Sequence, residues 1–351
     1  MNDKIKVGIS IGDINGIGPE IIIKALADNR MLNFCTPIVY GNTKIASYYR
    51  KNIGIQDFSF LVIPSPEQAN PKRANMINCW EEEVKIFPGQ ITEDGGKYAL
   101  ISLKRATQDL LEGHIDVLVT APINKQNIQS ESFTFSGHTE YLQAMTGDPG
   151  VLMLMVSENL KVGVATGHIP LKEVSQSLSV EGILDKLRLL NLSLKNDFWI
   201  RKPKIAVLGL NPHAGDTGLL GDEENSIITP AIEAAVAENI FAFGPYPADG
   251  LFSGNQYHGF DGILAMYHDQ GLIPFKHIAG EKGINFTAGL SVIRTSPDHG
   301  TAYDIAGKNL AAPQSFREAI YTAIHLFKNR KEQKELLSNP LKTKRLSKDR
   351  D

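Results

Sequence analysis

The sequence has little cysteine, no excess of charge of one sign and no long apolar run. Its 351 residues include only Cys35 and Cys79, in no CxxC or CxxH spacing, so we expect neither a disulfide framework nor a cysteine-zinc site. The formal net charge of -3 gives no reason to expect nucleic acid as a partner. The N-terminal residues lack the apolar core of a signal peptide and no run approaches a membrane span, so we expect a cytoplasmic protein with no membrane partner.

The length and the apolar pattern predict a two-domain α/β protein. A chain of this length exceeds what one hydrophobic core comfortably holds. Continuous runs rich in Val, Ile and Leu are typical of strands buried on both faces of a parallel sheet; they occur at residues 6–11, 37–40, 117–120, 161–166, 205–210 and 262–267. Helical patterns lie between them, at residues 99–111, 180–194 and 227–238. The proline-containing residues 64–82 predict a loop, and the charged residues from 328 onward predict a terminal helix that ends in a solvated tail.

Polar residues follow five of the six predicted strands. Ligands of open parallel sheets bind beyond the carboxyl ends of the strands, so we expect these groups to share one edge. Three of them are histidines, His168, His213 and His268, and each follows a different strand. Three imidazoles leave the open coordination position that a catalytic divalent metal needs. Taken singly, each histidine could instead be a loop residue that is hydrogen-bonded to the backbone.

Three further patterns each leave two interpretations open. GDINGIGPE, at residues 12–20, is not GxGxxG; it predicts a tight strand-to-helix turn, whose N–H groups could also face a dinucleotide phosphate. His138 and Thr139 could bind a ligand, or Thr139 could cap a helix. The cluster of Lys276, Asn285 and Arg294 could hold a phosphate or carboxylate, or could form surface salt bridges.

Five blocks in order carry a family resemblance: GDINGIGPEI, SGHTE, LNPHAG, MYHDQGLIPFK and IRTSPDHGTAYDIAGK. Together they resemble the 4-hydroxythreonine-4-phosphate dehydrogenase family of vitamin B6 biosynthesis, from about residue 5 to about residue 328. GIGPE and HGTAYDIAGK are also similar to elements of isocitrate and isopropylmalate dehydrogenases. The resemblance implies an α/β fold of that type, with two α/β/α lobes and an active-site cleft between them.

The same resemblance implies a division of the chain and a set of roles. Residues 1–130 plus 291–351 would form a discontinuous nucleotide-binding lobe, and residues 131–290 a metal, substrate and dimerisation lobe. The metal ligands would be His168, His213 and His268, in a homodimer whose active site lies at the subunit interface. The substrate would contact His138, Thr139, Lys276, Asn285 and Arg294. The adenosine part of NAD would contact His299, Gly300, Thr301, Ala302, Asp304 and Gly307. One departure concerns the adenine contacts, because Ala312 stands before Pro313 where the related dehydrogenases usually have Asn.

The implied reaction is a metal-dependent oxidation of a small phosphorylated substrate, 4-hydroxythreonine 4-phosphate, with NAD or possibly NADP. The substrate would chelate one divalent ion (zinc, magnesium or cobalt) through its secondary alcohol and amino group, which lowers the pKa of the alcohol. Asp269, Asp249 and Lys125 are the candidate general bases. The resulting β-keto acid would lose carbon dioxide and give 3-amino-2-oxopropyl phosphate.

Three alternatives remain open at this stage. Relatives within the family oxidise 4-phospho-threonate or 4-phospho-erythronate, or aromatic dihydrodiols. A three-histidine metallohydrolase would use metal-bound hydroxide instead of a nicotinamide. A third possibility is a binding protein without catalytic activity. Substrate and NAD added together separate these classes, because NADH, phosphate or neither would appear.

Overall fold

The computed structural model describes residues 4–131 and 133–338, which form a mixed α/β structure on a twelve-stranded sheet. The strands are β1 (Ile5–Ser10), β2 (Cys35–Gly41), β3 (Leu61–Val62), β4 (Asn75–Asn78), β5 (Val117–Thr120), β6 (Leu152–Val156), β7 (Lys161–Val164), β8 (Lys204–Leu208), β9 (Phe241–Tyr246), β10 (Gly262–Ala265), β11 (Ile284–Ala288) and β12 (Arg294–Pro297). The helices are α1 (Gly18–Leu26), α2 (Thr43–Asn52), α3 (Glu93–Leu111), α4 (His138–Thr146), α5 (Val174–Ser177), α6 (Val180–Asn196), α7 (Thr229–Ala237), α8 (Ala248–Ser253), α9 (His268–Ala279) and α10 (Gln314–Ser338). Across the sheet the order is β3-β4-β2-β1-β5-β12-β11-β6-β7-β10-β8-β9.

The predicted strands and helices are confirmed, with small shifts of their ends. The predicted loop at residues 64–82 is wrong in part, because it contains β4, which pairs in parallel with both β2 and β3. Buried Asn75 fits this strand because its Nδ2 donates to the carbonyls of Pro37, Asn70 and Arg73. The predicted terminal helix is confirmed by α10, whereas the predicted solvated tail falls partly on residues 339–351, outside the described residues.

The sheet is mixed, so the expectation of parallel strands holds for only part of it. β1, β5 and β12 run in one direction, but the β12–β11, β11–β6 and β6–β7 pairs are all antiparallel. Three reversals leave β7, β10, β8 and β9 parallel to one another and opposite to β1. The carboxyl ends of the five strands that precede polar residues therefore do not share one edge. A continuous apolar run reports burial on both faces of a sheet, which parallel and antiparallel central strands have alike.

The polar groups meet instead over one face of the central strands. Asn285 of β11 lies opposite Ser296 of β12 on one side and Met155 of β6 on the other. Side chains alternate between the faces of a strand, so Arg294, two residues before Ser296, lies on this face as well. The floor of the site is thus built by strands that are far apart in sequence.

Helices cover the sheet on both sides of this centre. α10 and α3 pack against the strands around β1, β5 and β12, and α6 and α9 pack against β7 and β10. The half of the sheet from β3 to β12 contains only strands from residues 5–120 and 294–297, and the other half contains the remaining six. This strand order is compatible with the predicted division into two lobes, which stays a prediction. No helix within the described residues is both long and apolar enough to cross a membrane.

Candidate active site

Two adjoining cavities lie over the central strands. One has a volume of about 300 Å³ and the other of about 380 Å³. Both are lined by Lys125, Gly137, His138, Met153, His168, Asn285 and Arg294. The first also reaches His268, Lys276, Asp298, His299 and Gly300, and the second reaches Thr139 and Glu140. Most of the predicted metal, substrate and base residues therefore lie around one cleft.

Arg294 is a buried cation whose hydrogen-bond partners within the described residues are neutral. The residue is 3% exposed, its Nε and Nη2 donate to Thr120 Oγ1 at 3.0 and 2.6 Å, and its Nη1 donates to Thr287 Oγ1 at 3.3 Å. No ion pair to it occurs within the described residues. Burial lowers the pKa of Arg294 to about 10, against the opposing effect of the Glu140 charge, so the guanidinium stays protonated at neutral pH. Because an unpaired buried charge is costly, this position favours binding of an anion.

Two buried polar atoms beside this cation have no hydrogen-bond partner within the described residues. They are Nε2 of His138 and Oδ1 of Asn285. Burial, and then the charges of Arg294 and Lys125, hold the pKa of His138 well below 6.5, so its ring is neutral. Helix α4 begins at His138 after Gly137, so the predicted helix start is confirmed, but Thr139 lies inside the helix and is not its cap. Nε2 of His138 and Oδ1 of Asn285 are therefore available to a ligand.

His168 and His268 lie side by side, with ring centroids 5.3 Å apart. Burial lowers the pKa of His168, with smaller contributions from Lys125 and His268, which favours the neutral imidazole that binds metals. Nδ1 of His268 is 2.7 Å from Oδ1 of Asp269, a contact that orients the ring and leaves Nε2 for a ligand. The donor type and mutual distance of these two rings, together with the neutral form of His168, fit a shared divalent metal.

His213 lies away from this cleft, on an exposed turn that contains five consecutive residues with positive φ angles, 213–217. Within the described part of a single chain, no three His, Cys, Asp or Glu side chains are grouped so that they could hold a metal ion. The predicted three-histidine site takes its ligands from both subunits of a dimer. The structure of a single chain does not test it, so it stays a prediction.

The candidate bases differ in their placement. Lys125 lines both cavities, and burial lowers its pKa. Asp269 has a side chain that is 71% exposed and bonded to His268, and Asp249 lies exposed on α8, lining neither cavity. Sequence reasoning missed Asp298, which lines the first cavity and whose Oδ1 is 3.0 Å from Lys276 Nζ. Burial raises the pKa of this carboxyl. The sequence signal that could have identified Asp298 is its position directly before His299, inside the block IRTSPDHGTAYDIAGK.

The segment predicted to bind nucleotide begins at the cleft and leads away from it. His299 and Gly300 line the first cavity, and Nε2 of His299 is buried with no partner within the described residues. A Cβ at Gly300 would meet no atom within 4 Å, so open space adjoins the backbone there. Asp304 is exposed, and Ala302 and Gly307 have positive φ angles. An unpartnered ring nitrogen beside open backbone fits a polar ligand such as a nucleotide.

The GDINGIGPE turn supports this segment instead of offering its own N–H groups. Pro19 lies in the first turn of α1, as predicted. The N–H groups of Asp13, Asn15, Gly16 and Ile17 donate within the protein, to Pro122 O, Asp13 Oδ1, Asp13 O and Thr301 O. These four N–H groups are therefore not available to a dinucleotide phosphate.

Comparison with known proteins places these observations in one family. The family described as "Pyridoxal phosphate biosynthetic protein PdxA" matches residues 33–323. The chain is 50% identical to the 4-hydroxythreonine-4-phosphate dehydrogenase of Bacteroides thetaiotaomicron, over 97% of this chain and 93% of that protein. The crystal structure of 4-hydroxythreonine-4-phosphate dehydrogenase from Klebsiella pneumoniae superposes with a TM-score of 0.79 at 35% identity, covering 93% and 98% of the two chains. A terephthalate 1,2-cis-dihydrodiol dehydrogenase structure from Burkholderia xenovorans gives 0.59 at 26% identity, covering 92% and 98%.

Proposed function

The chain belongs to the PdxA family of pyridoxal phosphate biosynthetic proteins, and we propose that it oxidises 4-hydroxythreonine 4-phosphate and releases 3-amino-2-oxopropyl phosphate after decarboxylation. It is accordingly an oxidoreductase of vitamin B6 biosynthesis. The observation that carries the proposal is buried Arg294, whose hydrogen-bond partners within the described residues are hydroxyls. It lies beside atoms of His138 and Asn285 for which the same residues provide no partner. A phosphorylated amino acid supplies the anionic and polar groups that these side chains lack.

The substrate would be held at its anionic groups by Arg294 and Lys276. Arg294 is fixed by Thr120 and Thr287, so its planar fork is already oriented when an anion arrives. Lys276 forms an ion pair with Asp298. An arriving anion would therefore have to share the Lys276 ammonium with this carboxylate or displace the carboxylate from it. His138 and Asn285 would complete the contacts through Nε2 and Oδ1, which have no partner among the residues that the structure describes.

His168 and His268 would hold one divalent metal together with His213 of a second copy of the chain. When bound, the metal ion would withdraw charge from the reacting oxygen, and the nicotinamide would accept the hydride from the carbon that carries this oxygen. Asp269 would keep His268 in the orientation that presents Nε2 to the site. Zinc, magnesium and cobalt, and NAD and NADP, remain the candidates within these two cofactor classes.

Lys125 is the base that the geometry favours. It lines both cavities, and its lowered pKa increases the fraction of neutral amine that can take the proton from the secondary alcohol. Oxidation leaves a β-keto acid. The bond to its carboxylate then breaks, carbon dioxide departs and the electron pair passes to the ketone oxygen before a proton returns to carbon. Asp269 and Asp249 are less favoured, because neither lines a cavity.

A substrate panel followed by NADH absorbance tests the proposal. The members are 4-hydroxythreonine 4-phosphate, its unphosphorylated form, 4-phospho-threonate and an aromatic cis-dihydrodiol, each with NAD and with NADP. We expect NADH chiefly from the first. Faster turnover of 4-phospho-threonate or of the dihydrodiol would reassign the substrate within the family. Release of inorganic phosphate without NADH would support a metallohydrolase, and no reaction with bound substrate would support a binding protein.

A further inference from the structure

Asp13 is a buried carboxylate that no cation neutralises within the described residues. It is 1% exposed, and the three groups that donate to its side chain are neutral. Oδ1 accepts from Asn15 N at 2.8 Å, and Oδ2 accepts from Asn127 Nδ2 at 2.8 Å and from the Tyr303 hydroxyl at 2.7 Å. Burying a carboxylate costs free energy unless donors satisfy it, so these three bonds hold the side chain in one place.

The donors come from three segments that are far apart in sequence. Asn15 belongs to the same turn as Asp13, Asn127 follows the cleft residue Lys125, and Tyr303 lies in residues 299–308, which we term the nucleotide loop. Asp13 is therefore the point at which the nucleotide loop and the Lys125 segment are joined. Hydrogen bonds to a charged acceptor are stronger than neutral ones, so this junction is more rigid than a typical loop contact.

The surrounding backbone is packed closely against the nucleotide loop. Ile17 N donates to Thr301 O at 2.9 Å. A Cβ at Gly16 would lie 2.9 Å from that same carbonyl oxygen, and a Cβ at Gly89 would lie 2.8 Å from Tyr303 O. Side chains at these two glycines would force the loop to shift. The loop is thus positioned by its fit to neighbouring backbone as well as by the bond from Tyr303 to Asp13.

We propose that Asp13, acting through Tyr303, is a positioning residue that holds the nucleotide loop in its binding conformation relative to Lys125. This inference rests on the proposed function, because it takes NAD as the ligand of the loop. Ordering a loop on binding weakens affinity, and a loop that is already ordered avoids this loss. Asp13 itself is enclosed by protein and touches neither substrate nor NAD in this role.

The electrostatics keep the junction intact over the working pH range. Burial, and then the bond to Asp13, raise the pKa of Tyr303 above its ordinary value. The hydroxyl is therefore protonated and donates to Asp13 at any pH at which the enzyme would be assayed. Replacing Tyr303 by Phe removes this one donor and keeps the aromatic ring, without changing the charge of the loop.

Tyr303→Phe and a matched control test the positioning role. We expect isothermal titration of metal-loaded enzyme to give a Kd for NAD about tenfold higher in Tyr303→Phe than in the wild type. The KM for substrate at saturating NAD should change much less. Without NAD, amide hydrogen exchange should accelerate within residues 299–308, which loss of a direct NAD contact alone would not cause. Tyr40→Phe is the control. The Tyr40 hydroxyl also donates to a buried carboxylate, that of Asp109, over a distance of 2.8 Å, but this pair lies outside the nucleotide loop.

The outcomes separate this inference from the proposed function. Tyr40→Phe should lose comparable stability and bind NAD like the wild type. Asp13→Asn, which keeps the shape but not the charge, should repeat the effect of Tyr303→Phe on the Kd. Wild-type binding of NAD together with an unchanged Kd and unchanged exchange in Tyr303→Phe would overturn the positioning role alone. A wild-type enzyme that binds no NAD would overturn both.

Discussion

Arg294 shows how one side chain links the fold to the substrate. Strand pairing places it on the face of the central strands, and hydroxyls of β5 and β11 fix its guanidinium. Its sequence position identified it as a candidate for binding an anion. What distinguishes it from a surface cation is its burial, with no carboxylate partner in the part of the chain that the structure describes. The residue is therefore the best place to test whether the phosphate or carboxylate of the substrate contributes to turnover.

Arg294→Lys should lower kcat/KM for 4-hydroxythreonine 4-phosphate by at least about tenfold, equivalent to about 1.4 kcal/mol. A lysine ammonium cannot reproduce the planar fork that meets an oxyanion at two points. Steady-state kinetics at saturating NAD measures the effect. Arg50→Lys is the matched control, since Arg50 donates to Phe58 O outside the cleft and should retain wild-type kinetics. An Arg294→Lys enzyme with unchanged kcat/KM would remove the anion-binding role.

His138 makes the folded chain less stable as the pH is lowered. Its folded pKa lies well below 6.5, chiefly because of burial, whereas the unfolded chain takes up a proton at about pH 6.5. As pH falls below that value, the unfolded state binds more protons, and the free energy of unfolding declines by at most about 1.4 kcal/mol per pH unit from this group. His138→Gln should therefore show a shallower decline than wild type between about pH 7 and pH 5.5 in urea unfolding. A His138→Gln slope equal to that of the wild type over this range would contradict the account.

Sequence reasoning found the residues that lie in recognisable blocks and missed those whose role comes from contacts. His138, His168, His268 and Arg294 were predicted and lie around one cleft. Asp298 was missed because only folding buries its carboxyl beside Lys276. The junction at Asp13 could not be predicted from the sequence either, since Tyr303 is separated from Asp13 by 290 residues. Burial and long-range pairing are tertiary properties that no local pattern contains.

At the scale of elements, the turn that carries His213 depends on a single buried carboxylate. Glu224 is 3% exposed, and its Oε1 accepts from the N–H groups of Leu210 and Asn211, both at 2.7 Å. Its Oε2 accepts from Asn211 Nδ2 at 3.0 Å. The turn that follows holds five successive residues at positive φ, a conformation that costs free energy for any residue other than glycine. Glu224 therefore anchors Leu210 and Asn211, the residues that connect the end of β8 to this strained turn.

Glu224→Ala should reduce the free energy of unfolding by about 1–3 kcal/mol, because two backbone donors lose their acceptor. Glu224→Gln keeps one acceptor oxygen and should lose less. The neighbouring Glu223→Ala is the control, since the Glu223 carboxylate accepts from the side chains of Ser175 and Asn211, whereas the N–H groups of Leu210 and Asn211 donate to Glu224. Chemical denaturation of the three variants measures the differences. A Glu224→Ala protein as stable as Glu223→Ala would show that the turn does not depend on this residue.

Strands were easier to predict from sequence than their directions and partners. The apolar runs located β1, β2, β5, β7, β8 and β10 to within a few residues. β4 was missed because the prolines and asparagines around it indicate a loop, and only pairing with β2 makes it a strand. The antiparallel β12–β11–β6–β7 centre was missed because burial on both faces does not specify direction. The polar groups consequently meet over the sheet centre and not at one edge.

At the scale of the whole molecule, the placement of His213 predicts that two chains share each active site. His168 and His268 are adjacent, whereas His213 is exposed on a separate turn. His168→Ala and His213→Ala homodimers should each be inactive, and co-expression should restore activity in the hybrid dimer. One of its two sites then holds all three histidines, because each chain supplies what the other lacks. Hybrid dimers without activity, from variants that fold and dimerise normally, would contradict a shared metal site.

The central claim is that the reaction couples oxidation to loss of carbon dioxide from a phosphorylated substrate. The most direct measurement follows NADH, carbon dioxide and 3-amino-2-oxopropyl phosphate together, from 4-hydroxythreonine 4-phosphate and metal-loaded enzyme. The account predicts that the three products form in equal amounts and that none forms when NAD is omitted. Inorganic phosphate in place of NADH, or NADH without carbon dioxide, would contradict it.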